Sequence, residues 1–373
     1  MTSPPDTRKP RARDIGLTWP GATGPHNAIT DVPGIEIGFT TILEDAPRAG
    51  RKRPLRSGVT AILPHAASPD PVPVYAGLHR FNGNGEMTGA HWIEDGGYFL
   101  GPVLLTNTHS VGIAHHAAIS WMLRRYPHVY DAGEPLWLMP VVAETYDGLL
   151  SDINGQHVTA DDVFAALDSV SPGPVAEGNT GGGAGMIAYG FKGGTGTASR
   201  RVTIDGKDYA VGILVQANHG VREWFTVRGI AVGQRLGGAG PGREVERGSI
   251  IVVIATDIPM APHQLKRVAR RGAIGIGRGG TPGGNSSGDI FLAFSTANAQ
   301  PMPHRAPTRL SLEILNDEVF DAIYMAVVDG VEEAVLNAML AATDAGGTAH
   351  DVVFVPALRA DELMAVLATF GAG

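Results

Sequence analysis

The sequence predicts an α+β protein, one large domain of β-sheets covered by helices. Three observations carry this expectation. Hydrophobic residues make up 43% of the chain and charged ones 18%, which supplies a large core and argues against disorder. Segments of strand character and of helical character interleave along the chain. At 373 residues the length would suggest ~2 to 3 domains of ~150 residues, yet no fixed-period repeat and no clear linker divides it.

Taken in order, residues 1–13 are polar, proline-bearing and basic, with Arg8, Lys9, Arg11 and Arg13 but no apolar run behind them. They read as a disordered basic tail rather than a signal peptide or anchor, with the domain spanning 14–373 and the cytoplasm as location. A second basic run, Arg48, Arg51, Lys52, Arg53 and Arg56, is interrupted by Gly50 and Pro54 and reads as a solvated loop. From Ser57, SGVTAILPH is a strand. VLLTNTHSVGIAHHAAISWMLRRY passes from strand to helix, with Ile113, Ala117, Trp121 and Leu123 near helical spacing. The central third is dense in glycine, in GNTGGGAGM, GFKGGTGTASR and GQRLGGAGPGREVERG. Between these runs lie two buried strands, VGILVQAN and SIIVVIAT, so the glycines mark tight turns and close backbone approaches. APHQLKRVARRG is a helix with Pro262 in its first turn and Arg270 and Arg271 in its last. DIFLAFSTAN returns to strand, DEVFDAIYMAVVDGVEEAVLNAMLAAT is a long helix, and RADELMAVLATFG closes as another.

Composition removes whole classes of function. The chain has no cysteine, which excludes a disulfide framework, a thiolate zinc site, an iron–sulfur cluster and a cysteine nucleophile. A formal charge of −8 argues against nucleic acid as the main partner. No run approaches ~18 apolar residues, so no membrane span is expected. Three motifs match patterns without their context. Gly284, Ser286 and Gly288 have the G-x-S-x-G spacing, but loop precedes and strand follows, where a nucleophile elbow requires a strand before the serine and a helix after it. The glycine runs lack the phosphate-loop Lys-Ser/Thr, and Lys192 precedes its glycines. His109, His115 and His116 lack the carboxylate spacing of a metal site. Neither metal nor cofactor is expected, and small solutes are the expected partners.

The most informative place is EVERGSIIVVIATDIPM, where a polar loop meets an apolar strand at Gly248–Ser249. A serine there is ordinarily a strand starter. Its hydroxyl can alternatively attack the carbonyl of Gly248, shift the peptide to an ester and be released by water as a new N-terminus. Such a residue carries nucleophile and base together, since an α-amine has an ordinary pKa of roughly 7.7–8.0.

With these residues in view, the sequence resembles the Ser-type N-terminal-nucleophile aminopeptidases, the family of L-aminopeptidase D-Ala-esterase/amidase and the β-peptidyl aminopeptidases. The ordered blocks that carry the resemblance are NAITDVPGIEIGFTT, SGVTAILP, LTNTHSVG, VAETYDG, EGNTGGGAGM, GFKGGTGTASR, VQANHG, RGSIIVVIATD and GNSSGDIFLAFSTAN. The resemblance implies an αββα sandwich of N-terminal-nucleophile-like architecture, cut before Ser249 into an α chain 1–248 and a β chain 249–373 and assembled as a homotetramer of αβ units. It implies that Ser249 is the nucleophile, Asn218 the amide that stabilises the oxyanion, Tyr146 a phenol beside it, and Ser287 and Asp289 a serine–carboxylate pair. The β-peptide-cleaving members carry Glu where this chain has Asp289. Period-2 spacing places Ser287 and Asp289 on one face of a strand. Glu144 is implied as the carboxylate that holds the substrate's ammonium, two residues from Tyr146 in an extended segment, and Trp137 as a further substrate-binding residue. The expected substrate is a small peptide, amide or ester with a free amino group. Two alternatives stay open at this point: an acyltransferase resembling ornithine acetyltransferase, whose processing precedes threonine rather than serine, and a non-enzymatic ligand-binding protein with a dead site.

Overall fold

The computed structural model describes residues 9–133, 135–238, 246–346 and 353–370. Its strands and helices are numbered here in chain order. A four-stranded sheet has the order β1 (Glu36–Glu44), β2 (Leu55–Leu63), β5 (Val103–Asn107), β6 (Val141–Thr145). A six-stranded sheet has the order β4 (Tyr98–Phe99), β3 (Val74–Arg80), β14 (Ile290–Ser295), β13 (Ser249–Thr256), β10 (Lys207–Asn218), β9 (Gly194–Ile204). Neighbours run antiparallel except β5 with β6 and β13 with β14. Two short hairpins flank the larger sheet, β7 (Ile187–Ala188) with β8 (Phe191–Lys192) and β11 (Thr226–Val227) with β12 (Ile230–Ala231).

Strand alternation sorts the core into layers. Ile250, Val252 and Ile254 of β13 pack on α5 (Pro262–Arg278) and α6 (Asp321–Ala341), through Leu265, Val268, Val327 and Val331. The intervening Ile251, Val253 and Ala255 meet Ile62, Val103, Leu105 and Val141 of the other sheet. On that sheet's far side, Val59, Ala61, Leu104 and Val142 pack on Ala114, Ala117 and Trp121 of α2 (Val111–Arg125) and on Val163 and Ala166 of α4 (Ala160–Asp168). This is an αββα sandwich. All eight residues of β13 are buried because both faces are covered, which is why its sequence is continuously apolar. The remaining helices are α1 (Ala90–Gly96), α3 (Pro127–Asp131) and α7 (Ala360–Ala368). Among the described residues no helix is long and apolar enough to cross a membrane.

Four expectations need correction. Residues 1–8 of the expected tail lie outside the described residues, but residues 9–13 belong to the fold. Ala12 is fully buried, and the Arg11 guanidinium donates to the carbonyls of Asn27 and Thr197 and pairs with Glu177. These buried acceptors offset the desolvation that composition alone would count against the arginine. In the second basic run, Arg56 is a buried residue of β2 that donates to the carbonyls of Glu44 and Leu55 and pairs with Asp45. Helix α5 does not stop after Arg271. It continues through Gly272, where a side chain would collide with the Phe291 ring, so this glycine serves packing rather than termination. On α2 the inward face is Ala114, Ala117, Ala118, Trp121 and Met122, while Ile113 and Leu123 are exposed.

Candidate active site

Ser249 opens β13 at the middle of the six-stranded sheet and faces Asn218, the last residue of β10, in antiparallel register. Alternation puts its side chain with Ile251 and Val253, on the side of the second sheet. Its Oγ donates to the carbonyl oxygen of Gly248 at 2.8 Å and accepts the N–H of Gly288 at 3.0 Å. The hydroxyl is therefore fixed beside the peptide that it would have to attack. Gly248 is required there sterically: a Cβ would overlap the Asn218 carbonyl and come within 3.1 Å of the His219 Cα.

The Asn218 amide is locked at both ends. Its Oδ1 accepts the N–H of Ile187 at 2.9 Å, and its Nδ2 donates to the Tyr146 carbonyl at 3.1 Å. An amide nitrogen has two hydrogens, so one N–H remains available to a developing oxyanion. Tyr146 follows directly after β6 and is 43% exposed.

Ser287 and Asp289 do not lie on the strand that the sequence suggested, because β14 begins at Ile290. They occupy the turn before it, and their side chains still meet, with Ser287 Oγ donating to Asp289 Oδ1 at 2.6 Å. The same Oδ1 accepts the N–H of Ile250 at 3.2 Å, tying the pair to the backbone next to Ser249. Both residues are fully buried, and Asp289 Oδ2 has no hydrogen-bond partner among the described residues. Burial pushes the Asp289 carboxyl up to about 6, against the opposing pull of the Ser287 bond.

Glu144 lies on β6 in the second sheet and is buried. Its carboxylate accepts the N–H of Glu86 at 3.0 Å and the hydroxyl of Thr108. Burial raises its pKa above the ordinary carboxylate value, and those two bonds oppose the rise. The segment 82–88 links this carboxylate to the Ser249 side, since Asn84 Nδ2 donates to the Ser286 carbonyl at 2.6 Å. Trp137 is 66% exposed, and its ring packs on Trp92 of α1, 5.7 Å between centroids. It precedes Glu144 by seven residues of mainly extended chain, at ~3.3 Å per residue.

Sequence reasoning passed over several residues that border this group. The Gly288 N–H carries no residue-type signal, since nearly every residue has that donor. Thr108 stands inside the LTNTHSVG block without having drawn a role. Glu246, in the polar run before Gly248, is 3% exposed, and only its position ahead of Ser249 could have marked it. His219 is also buried, with neither ring nitrogen partnered among the described residues, and burial holds its pKa well below the ordinary value.

The model of peptidase family S58 matches residues 27–353. The β-peptidyl aminopeptidase BapA of Sphingosinicella microcystinivorans is 48% identical over 349 residues, spanning 89% of this chain and 86% of that protein. Among solved structures, L-aminopeptidase D-Ala-esterase/amidase from Ochrobactrum anthropi matches with a TM-score of 0.95 and 63% identity, over 98% of this chain and 99% of that one. That protein is described as a prototype for the serine aminopeptidases and a new variant of the Ntn hydrolase fold. A β-aminopeptidase from Burkholderia sp. matches with a TM-score of 0.88 and 42% identity, over 97% and 99% of the two chains.

Proposed function

The chain belongs to peptidase family S58, and from that premise we propose that it is a self-processing serine aminopeptidase whose nucleophile is Ser249. The observation that carries this reading is the Ser249 hydroxyl set 2.8 Å from the Gly248 carbonyl oxygen, with the Gly288 N–H on its other side. In the first stage Oγ attacks the Gly248 carbonyl carbon and the C–N bond to Ser249 breaks, leaving residue 248 as an ester on Oγ. Water hydrolyses that ester. Gly248 becomes a carboxylate terminus, and Ser249 regains its hydroxyl and acquires an α-amine.

In the second stage the α-amine, with an ordinary pKa of roughly 7.7–8.0, is partly neutral near pH 7 and takes the Oγ proton as Oγ attacks the substrate carbonyl. The remaining N–H of Asn218 supports the oxyanion. The amine then passes the proton to the leaving group, and water releases the acyl group from Oγ. Ser287 and Asp289 hold the backbone beside the new terminus, Tyr146 borders the oxyanion, and Glu144 pairs with the ammonium of the residue being removed. Substrates of this chemistry are small peptides, amino-acid amides or esters with a free amino group. The same reading takes the working assembly as a homotetramer of αβ units in the cytoplasm.

Intact mass and N-terminal sequencing test the first stage. Cleavage divides the 373 residues into fragments of 248 and 125, the smaller beginning Ser249-Ile250-Ile251. Ser249→Ala should remain one chain without activity. A wild type that stays whole, or an alanine variant with normal activity, overturns the reading.

A further inference from the structure

Glu246 lies two residues before the Gly248–Ser249 bond, and its buried carboxylate gathers donors from two separate loops. Oε1 accepts the N–H of Gly220, just beyond Asn218 and His219 at the end of β10. Oε2 accepts the N–H of Gly284 at 2.9 Å and the hydroxyl of Thr281 at 3.3 Å, in the loop that leads to Ser287 and to the Gly288 N–H on Ser249. The span from Glu246 to Gly248 is at most ~7 Å of chain, so fixing one restricts the other. Gly248 in turn sits against the Asn218 carbonyl and the His219 Cα, with no room for a side chain.

We propose that Glu246 is a positioning residue for self-cleavage: it ties the end of β10 to the 281–284 loop and holds the Gly248 carbonyl in place for Ser249. The inference rests on the self-processing reading above. The tether acts through an unbroken Gly248–Ser249 bond, so it bears on the first stage and not on later turnover. Once the bond is cut, Ser249 is still placed by its ladder pairing with Asn218, and Asn218 by Ile187 and Tyr146.

The test follows conversion of freshly translated full-length chain into its two fragments by intact mass, for wild type and Glu246→Gln. Glutamine offers one acceptor oxygen, so an NH2 group must face either Gly220 or Gly284 and one loop is released. Conversion should slow roughly ten- to hundredfold, as expected for losing a buried charge-assisted hydrogen bond. Variant that has completed conversion should keep a kcat/KM near the wild-type value. Equal conversion rates overturn the proposal, and so does a parallel fall in conversion and kcat/KM, which would make Glu246 part of the turnover machinery. A wild-type chain that never converts overturns both this inference and the reading beneath it, whereas a converting wild type with an equally fast variant overturns this inference alone. If Glu246→Gln lacks a cooperative melting transition, Thr281→Val takes its place, since it removes one hydroxyl from the same carboxylate. Slower conversion then supports the proposal, and an unchanged rate overturns it.

Discussion

Replacing Asp147 by asparagine should flatten the pH dependence of stability. Asp147 follows Tyr146 and is fully buried. Its Oδ2 accepts from Asn107 Nδ2 at 3.1 Å, and its Oδ1 has no partner among the described residues. Burial pushes the carboxyl up to about 7 from 3.8, with hydrogen bonds from Ser57 and Asn107 opposing and Glu144 adding to the rise. The sign follows from linkage. Between these two values the folded chain keeps a proton that the unfolded chain has released, so stability falls as pH rises from about 4 to about 7 and then levels off. Integrated from pH 5 to 8, the loss is roughly 2–3 kcal/mol. A chain of this length has an unfolding entropy of about 0.8 kcal/mol/K, so the loss corresponds to about 3 °C in Tm. Thermal unfolding at pH 5 and 8 in the Ser249→Ala background keeps a single chain and isolates the effect. The parent should lose about 3 °C more across that interval than the Asp147→Asn variant. Asparagine can still accept from Asn107, so packing is kept while the titration is removed. Identical pH dependence in the two chains would refute the argument, because it would mean that the buried carboxyl does not titrate with a raised pKa.

How much of this was legible in the sequence depends on how local each determinant is. Ser249 stood out because it opens a continuously apolar strand, and Asn218 because it closes a strand whose last eight residues are buried. Their direct pairing could not be read, since they stand 31 positions apart and the antiparallel register of β10 and β13 is set by tertiary contacts. The period-2 rule brought Ser287 and Asp289 together for the wrong reason. They meet across a turn that also aims the Gly288 N–H at Ser249, and turn geometry of this kind leaves little trace in residue type. Arg11 and Arg56 were misplaced because composition counts charges but not the distant carbonyls and carboxylates that can satisfy them. The roles themselves came from the resemblance. Nothing in the residue types alone distinguishes a strand-starting serine from a nucleophile, and Trp137 too rested on the resemblance alone.

Two further outcomes are expected at the site. Asn218→Ala should lower kcat by ~10²–10³ through loss of an oxyanion donor, and it should also cost ~1–3 kcal/mol of stability because the Ile187 N–H and the Tyr146 carbonyl lose their partner. Steady-state kinetics with an aminoacyl p-nitroanilide checks the first and thermal melting the second, and an unchanged kcat would remove Asn218 from the oxyanion role. Glu144→Gln separates an amine anchor from a scaffold residue. Glu144 is 5% exposed, and its carboxylate accepts only from Glu86 and Thr108 among its described bonds, so a substrate ammonium would supply the missing opposite charge. Breaking such a buried pair costs ~3–5 kcal/mol, which is ~10²–10³ or more in kcat/KM at 1.4 kcal/mol per decade. N-acetylated substrates never form the pair, so the variant should treat them much as the wild type does, and the ratio between free-amine and blocked substrates should narrow. The raised pKa of Glu144 adds a direction: free-amine substrates should lose kcat/KM as pH falls through it, since the protonated carboxyl no longer attracts an ammonium. Equal losses on both substrate classes would show that Glu144 supports the fold of the site rather than the amine, and the activity would then be that of a general amidase or esterase.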